Sequence, residues 1–210
     1  MIDSYNTYLV VAPHADDETL GVGGTVHKLL ELNKCVHLII CSHRSHDCDC
    51  DYSPVLDHYK SWYNLGQEDE KIDTVKLIKQ LEVVCEDIRP DVVFIPNRDD
   101  FNMDHQSVYK ACQVVFRRYQ PVAPKMILMY ETPSSTTQSF NNNFHCNLYI
   151  SLSYKQIEHK IKTFNHYKLE IRTYPNPRCK DGILTYAKFR GMECNSEYAE
   201  GFKIIYCRDD

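Results

Sequence analysis

The sequence predicts an α/β protein with a mainly parallel sheet, and three observations lead there. Short apolar runs rich in β-branched residues alternate with longer segments whose apolar residues recur at helical spacing. The leading run, Thr7 to Pro13, is continuously apolar rather than alternating, as a strand covered on both faces should be. The length of 210 residues suits one α/β domain spanning 1–210, with no repeat and no linker to divide it.

The elements follow in order. TYLVVAP at 7–13 is the first buried strand, and Val22, Val26, Leu29 and Leu30 then share one face of a helix from Glu18 to about Asn33. Glycines 21, 23 and 24 follow the acidic turn, too late for a dinucleotide fingerprint, and they allow this helix to pack closely. CVHLIIC at 35–41 is the second strand and 42–53 a polar loop. A short helical stretch is expected around Val55–Leu65, after Pro54. Leu77, Leu81, Val84, Cys85 and Ile88 mark a helix over 73–88, closed by Pro90 before a third strand, DVVFIP at 91–96. Val108, Ala111, Cys112 and Val115 mark the next helix, over 104–119, and KMILMYE at 125–131 a fourth strand. The Ser/Thr/Asn-rich stretch 133–143 reads as a surface loop of the kind that borders sites. NLYISL is a fifth strand, Tyr154, Ile157, Ile161 and Phe164 mark a long helix, and after a mixed tail from Tyr174 on FKIIYC adds a last strand.

Composition excludes several functions. With 43% hydrophobic and 25% charged residues the chain is globular, and a net charge of -5 gives no footprint for a nucleic-acid backbone. The 15 tyrosines and 8 phenylalanines are scattered rather than interleaved with basic residues. No stretch approaches the roughly 20 apolar residues of a transmembrane helix, and the amino terminus lacks the basic region of a secretory signal. The ten cysteines are spread along the chain, with Cys35, Cys41, Cys85 and Cys112 inside apolar runs. They are expected to be reduced thiols in a cytoplasmic protein. Cys48 and Cys50, near His43, His46 and Asp47, lack the second ligand pair of a structural zinc site and read as a polar loop.

Chemistry concentrates at two strand exits. The first strand ends in Pro13-His14-Ala15-Asp16-Asp17-Glu18, and the third in a run from Asn97 to His105 that holds Asp99, Asp100, Asn102 and Asp104. In a doubly wound sheet with these two strands adjacent, both exits flank one crevice. Two imidazoles and a carboxylate with an open position are the pattern of a catalytic zinc site. A bound cation lowers the pKa of its water from about 15.7 to about 7, and a carboxylate off the metal can take the proton. Neighbouring Asp16 and Asp17 can divide those tasks. The alternative is that Asp17, Glu18 and Asp104 are helix caps and first-turn acids with no metal at all.

At these residues the sequence resembles the LmbE-like, PIG-L family of N-acetylglucosaminyl deacetylases. The family motif (A/P)HPDDE is matched by Pro13-His14-Ala15-Asp16-Asp17-Glu18, and HxDH by Asn102-Met103-Asp104-His105. Pro90-Asp91-Val92-Val93, Tyr130-Glu131-Thr132-Pro133-Ser134-Ser135, Arg190-Gly191 and Ala199-Glu200-Gly201-Phe202 extend the likeness almost to the carboxyl end. The resemblance implies a Rossmann-like three-layer domain and a divalent metal, usually zinc, on His14, Asp17 and His105, with Asp16 as general base. It implies hydrolysis of the N-acetyl group of a small amino sugar, such as a nucleotide sugar, glycolipid precursor or glycoside, releasing acetate. The sequence departs from the pattern at Ala15 and at Asn102, where many members have histidine. The Asn102 amide is a candidate oxyanion donor, and Arg44, the only arginine near the second strand's exit, a candidate substrate contact. An amidase acting on a non-sugar amide such as a thiol conjugate, or a non-catalytic metal- or sugar-binding homologue, are the alternative readings.

Overall fold

Along β1 (Thr7–Ala12), Tyr8, Val10 and Ala12 face one apolar core while Leu9 and Val11 face another, and all five are fully buried. A strand without a polar face must be covered on both sides. The computed structural model, which describes residues 2–43, 53–140 and 144–209, shows how this is done. Beside β1 lie β2 (Cys35–His43), β3 (Ser61–Glu68), β4 (Val92–Pro96), β5 (Met126–Tyr130), β6 (Leu148–Leu152) and β7 (Tyr198–Cys207), in the order β3-β2-β1-β4-β5-β7-β6. β1 to β5 are parallel, and β7 runs antiparallel between β5 and β6.

Helices α1 (Asp17–Glu31), α5 (Tyr154–Phe164) and α6 (Lys180–Glu193) cover one face, with α2 (Ser53–Leu56) at its border. Helices α3 (Thr74–Ile88) and α4 (Met103–Val115) cover the other, which makes three layers. The chain winds from β1 out to β3, then returns past β1 to β4. The carboxyl ends of β1 and β4 therefore bound the crevice where the winding reverses, the usual ligand position in such sheets. Among the described residues no helix is long and apolar enough to cross a membrane, and all eight described cysteines are free thiols. Cys48 and Cys50 lie outside the described residues.

Two elements differ from the sequence reading. The helix expected over 55–65 is limited to α2, and Ser61–Glu68 is an edge strand instead. Its Ser61, Tyr63, Leu65 and Gln67 turn inward while Trp62, Asn64, Gly66 and Glu68 are exposed, so the apolar signal is weak and split. The tail contains a helix, α6, because its buried stripe is Gly182, Ile183, Ala187, Arg190 and Gly191. Small residues and a charge do not announce a core-facing helix.

Helix α1, which begins at the site, is held at three points. A Cβ on Gly21 would lie 2.3 Å from Tyr130 Cδ2, so the helix backbone packs directly against the Tyr130 ring of β5. The Glu200 carboxylate accepts from Gly24 N (2.9 Å) and Thr25 N (2.8 Å). Lys160 Nζ pairs with Glu200 Oε1 at 2.6 Å and donates to Leu20 O at 2.8 Å. These two buried charges satisfy each other and the helix backbone, as buried ions must.

Gly21→Ala should destabilise the protein by about 1–3 kcal/mol through overpacking. In a thermal melt this lowers the midpoint by roughly 2–4 °C per kcal/mol for a chain of this size; an unchanged midpoint would mean that α1 stands farther from Tyr130. A second expectation concerns pH. The His27 and His159 rings stack with centroids 3.8 Å apart, and His58 meets His159 edge-on at 5.1 Å. Partial burial, with His27, His58 and Lys162 nearby, outweighs Glu31 and lowers the His159 pKa to about 4. The imidazole is thus neutral when folded and protonates when unfolded. Its contribution to stability is complete above the ordinary value of 6.5 and is lost as pH falls from there toward about 4. His159→Gln should therefore melt with a shallower fall than the parent between about pH 7 and about pH 5, whereas parallel falls would show that the ring protonates freely in place.

Candidate active site

Pro13, His14, Ala15 and Asp16 carry the chain from β1 into α1. The turn is tight: Asp17 N–H donates to His14 O at 3.3 Å and Leu20 N–H to Asp16 O at 2.8 Å. It forces Asp16 to φ 120°, a conformation that a non-glycine residue adopts at a strain of about 1–3 kcal/mol. Glu18 holds the strained residue in place. Its Oε2 accepts from Asp16 N at 2.9 Å, and its Oε1 accepts from Thr19 Oγ1 (2.6 Å) and Tyr167 Oη (2.5 Å). Burial raises the Glu18 pKa, with the Thr19 and Tyr167 hydrogen bonds working against it.

Asp17 faces the crevice. Its Oδ2 accepts from His14 N at 3.0 Å and lies 3.1 Å from both His14 Nδ1 and His105 Nε2. His105 is delivered by the first turn of α4, directly after β4, and its ring centroid stands 5.3 Å from that of His14. One ligand atom each from His14, Asp17 and His105 fall within 4.8 Å of one another, and all three residues are buried.

Each imidazole is backed by carboxylate. His14 Nε2 lies 3.0 Å from Asp69 Oδ1 and 3.1 Å from Asp104 Oδ2, and Asp104 is itself fixed by Glu70 N–H at 2.8 Å. His105 Nδ1 lies 3.3 Å from Asp100 Oδ2, which accepts from Ser135 Oγ (2.9 Å) and Thr136 Oγ1 (2.6 Å).

The charges set strong directions. Burial opposes an imidazolium at His14, but Asp104, Asp17 and Asp69 raise its pKa well above the ordinary value. Burial likewise opposes charge at His105, but Asp17 and Asp100 lift it to about 9. Asp17 is driven well down by His105 and His14 in spite of its burial. Asp16 is driven well up by burial and by the charge of Asp17, against the pull of Arg178. The pocket therefore draws positive charge onto its nitrogens.

A divalent cation fits this set. Asp17 Oδ1 is buried and makes no hydrogen bond among the described residues. The two imidazoles and the carboxylate are the donors that zinc prefers, and carboxylates behind metal-bound histidines orient their rings. The cation would take over the charge that protons otherwise supply, which is why metal binding at such sites releases protons.

The structure thus brings together His14, Asp16, Asp17 and His105. Asn102 is the N-cap of the helix that carries His105, and its Oδ1 accepts from Asp104 N at 2.8 Å, which leaves its amide N–H groups as donors. Arg44 lies outside the described residues. The residues that the sequence reading missed are Asp69, Asp100, Glu170 and Arg178. Arg178 Nη1 stands 3.2 Å from Asp16 Oδ2 and pairs with Glu170, while its Nε donates to Ser134 Oγ at 2.8 Å. Asp100 sat inside the second acidic cluster and was marked by that much. Asp69, Glu170 and Arg178 belong to segments without any motif.

No protein-family model matches the chain, and no curated protein sequence matches it. Solved structures do. The N,N'-diacetylchitobiose deacetylase from Pyrococcus horikoshii superposes with a TM-score of 0.77 at 19% identity, over 97% of this chain and 85% of that one. The zinc inhibited form of teicoplanin deacetylase gives 0.75 at 11% identity, over 98% and 100%. The 4-carboxy-2-hydroxymuconate hydratase from Pseudomonas putida KT2440 gives 0.73 at 16% identity, over 98% of each chain. With its strand order, its crevice and these neighbours, the chain has the fold that these deacetylases and the hydratase share.

Proposed function

We propose that this chain is a zinc-dependent hydrolase of the LmbE-like, PIG-L family that removes the acetyl group from an N-acetylated amino sugar. The observation that carries the reading is the buried set of His14, Asp17 and His105 with Asp16 beside it, at the crevice between β1 and β4. The two motifs that supply these residues, and the deacetylases among the structural neighbours, support it.

In this reading His14, Asp17 and His105 hold the zinc, and a bound zinc supplies an acidified water and a polarised acetamide carbonyl. Asp69 and Asp104 orient the His14 ring, and Asp100 that of His105. Asp16, whose Oδ1 has no hydrogen-bond partner among the described residues, takes the proton of the attacking water. It returns that proton to the leaving nitrogen as the amide C–N bond breaks. The products are acetate and the free amine. Asn102, whose amide N–H groups are left over by its capping role, is the candidate donor to the developing oxyanion.

The test is zinc content on protein purified without chelator, followed by acetate release from a panel of N-acetylated sugars and non-sugar amides. The expected result is about one zinc per chain, acetate release that a chelator abolishes and zinc restores, and a preference for acetamido sugars. Asp16→Asn should keep its zinc and lose roughly 10²–10⁴ in rate; His105→Ala should lose both zinc and rate. Failure to bind zinc after reconstitution would overturn the reading. Hydration of an unsaturated carboxylate without acetate release, the activity named for one of the neighbours, would redirect it.

A further inference from the structure

Asp16 is fixed through its backbone and only loosely at its carboxylate. The turn and Glu18 set the direction of its Cβ, but neither Oδ1 nor Oδ2 makes a hydrogen bond among the described residues. What faces the carboxylate is the Arg178 guanidinium, 3.2 Å from Oδ2 but without hydrogen-bond alignment. Such an arrangement sets the rotation of the carboxylate by charge and leaves Oδ1 open to a proton.

Arg178 is itself held at two other points. Glu170 pairs with its Nη1, and Ser134 Oγ accepts from its Nε at 2.8 Å. Ser134, at φ 90°, is another strained non-glycine residue, and it belongs to the turn that leaves β5. The next two residues of this turn, Ser135 and Thr136, hold Asp100 behind His105. The turn is closed on itself, because Thr132 O accepts from Ser135 N (3.1 Å) and Thr136 N (3.0 Å), and Thr132 N donates to Thr136 Oγ1 at 2.9 Å. One short turn therefore touches the base through Arg178 and a metal ligand through Asp100.

We infer that Arg178 is a positioning residue for Asp16, and that the turn Thr132–Thr136 aligns the base with the metal half of the site as one piece. The inference rests on the reading of Asp16 as the general base. It assigns the two arms separable effects. Losing the Arg178 arm misdirects the base and leaves the metal in place. Losing the Thr136 arm frees Asp100 and loosens His105.

The experiment compares Arg178→Met, Arg178→Lys, Ser134→Ala and Thr136→Val with the parent, measuring kcat, KM and zinc affinity by competition with a chromogenic chelator. Arg178→Met should lower kcat roughly 10–100-fold with KM and zinc affinity unchanged, and Ser134→Ala should shift the same quantity less. Thr136→Val should weaken zinc roughly 10–100-fold. In the Asp16→Asn background Arg178→Met should cause no further loss, as expected when one residue acts through the other. Multiplying losses in that cycle would overturn the inference, and so would a rise in KM alone, which would make Arg178 a substrate contact. Equal loss of zinc in Arg178→Met and Thr136→Val would reduce the turn to general scaffolding. Should Arg178→Met unfold, Arg178→Lys and the charge-balanced Glu170→Gln/Arg178→Met carry the same comparison. Should the chain release no acetate, so that the base reading itself fails, a double-mutant cycle of Asp16→Asn and Arg178→Met in unfolding stability still reports the contact. Zero coupling there overturns the inference independently of activity.

Discussion

Three nitrogens crowd a single buried carboxylate oxygen, Oδ2 of Asp17: the backbone N–H and Nδ1 of His14, and Nε2 of His105. A carboxylate removed from water is tolerable only where its charge is answered by close, well-directed partners. The two imidazoles that answer it are buried as well, and each needs an acid behind it, which Asp69, Asp104 and Asp100 provide. The carboxyl edge of the sheet is therefore a chain of obligations that begins at one atom. It closes only because β1 and β4 are neighbours, which brings His14 and His105 to the same place. Substituting Asp17 removes the charge that both imidazoles share, so these three residues are coupled.

Away from the crevice, further buried ion pairs hold the elements that carry these residues. Arg190 of α6 forms a two-pronged pair with Glu131 just beyond β5, at 2.6 and 2.8 Å. It ties the turn at 132–136 to the helix that follows Arg178. Glu200 and Lys160 clasp the middle of α1. Gly201 has Cys146 Sγ 2.4 Å from where its Cβ would stand, and Gly191 has Ser196 O at 2.5 Å, so both chains pass too close for a side chain. The phrases Arg190-Gly191 and Ala199-Glu200-Gly201-Phe202, which resemble the deacetylase family outside its two motifs, thus serve to place α1 and the segments packed around β7. Among the described residues they make no hydrogen bond or ion pair with His14, Asp16, Asp17 or His105.

The same fold carries deacetylases and a hydratase at low sequence identity. The scaffold supplies a crevice at a reversal of winding, and what a member does there depends on the donors at its rim. In this chain the rim offers two imidazoles, one carboxylate between them and one carboxylate turned away toward Arg178. That division between adjacent aspartates follows from the strained backbone of Asp16, which sends the two side chains to different partners.

The sequence by itself determined the α/β class, β1 to β2, α3 to α5 and the last strand to within a few residues, and the two clusters at the exits of β1 and β4. These are local properties: a continuous apolar run, a helical repeat of apolar residues, and acids and histidines crowded at a turn. It did not reveal β3, whose inward residues alternate with exposed ones at the sheet edge, or α6, whose buried face holds one large apolar residue, Ile183, among glycines, an alanine and an arginine. Arg44, in the polar loop after β2, is not among the described residues and gains no role. Only the tertiary structure decided that Asp69 and Asp104 stand behind His14, that Asp100 stands between His105 and the turn after β5, and that Arg178 reaches Asp16. Those contacts join residues far apart in the chain, and they exist because strand order and loop packing bring the segments together. No periodicity records a partner that lies on another element, and a charge in a segment without a motif acquires its meaning only from what it meets.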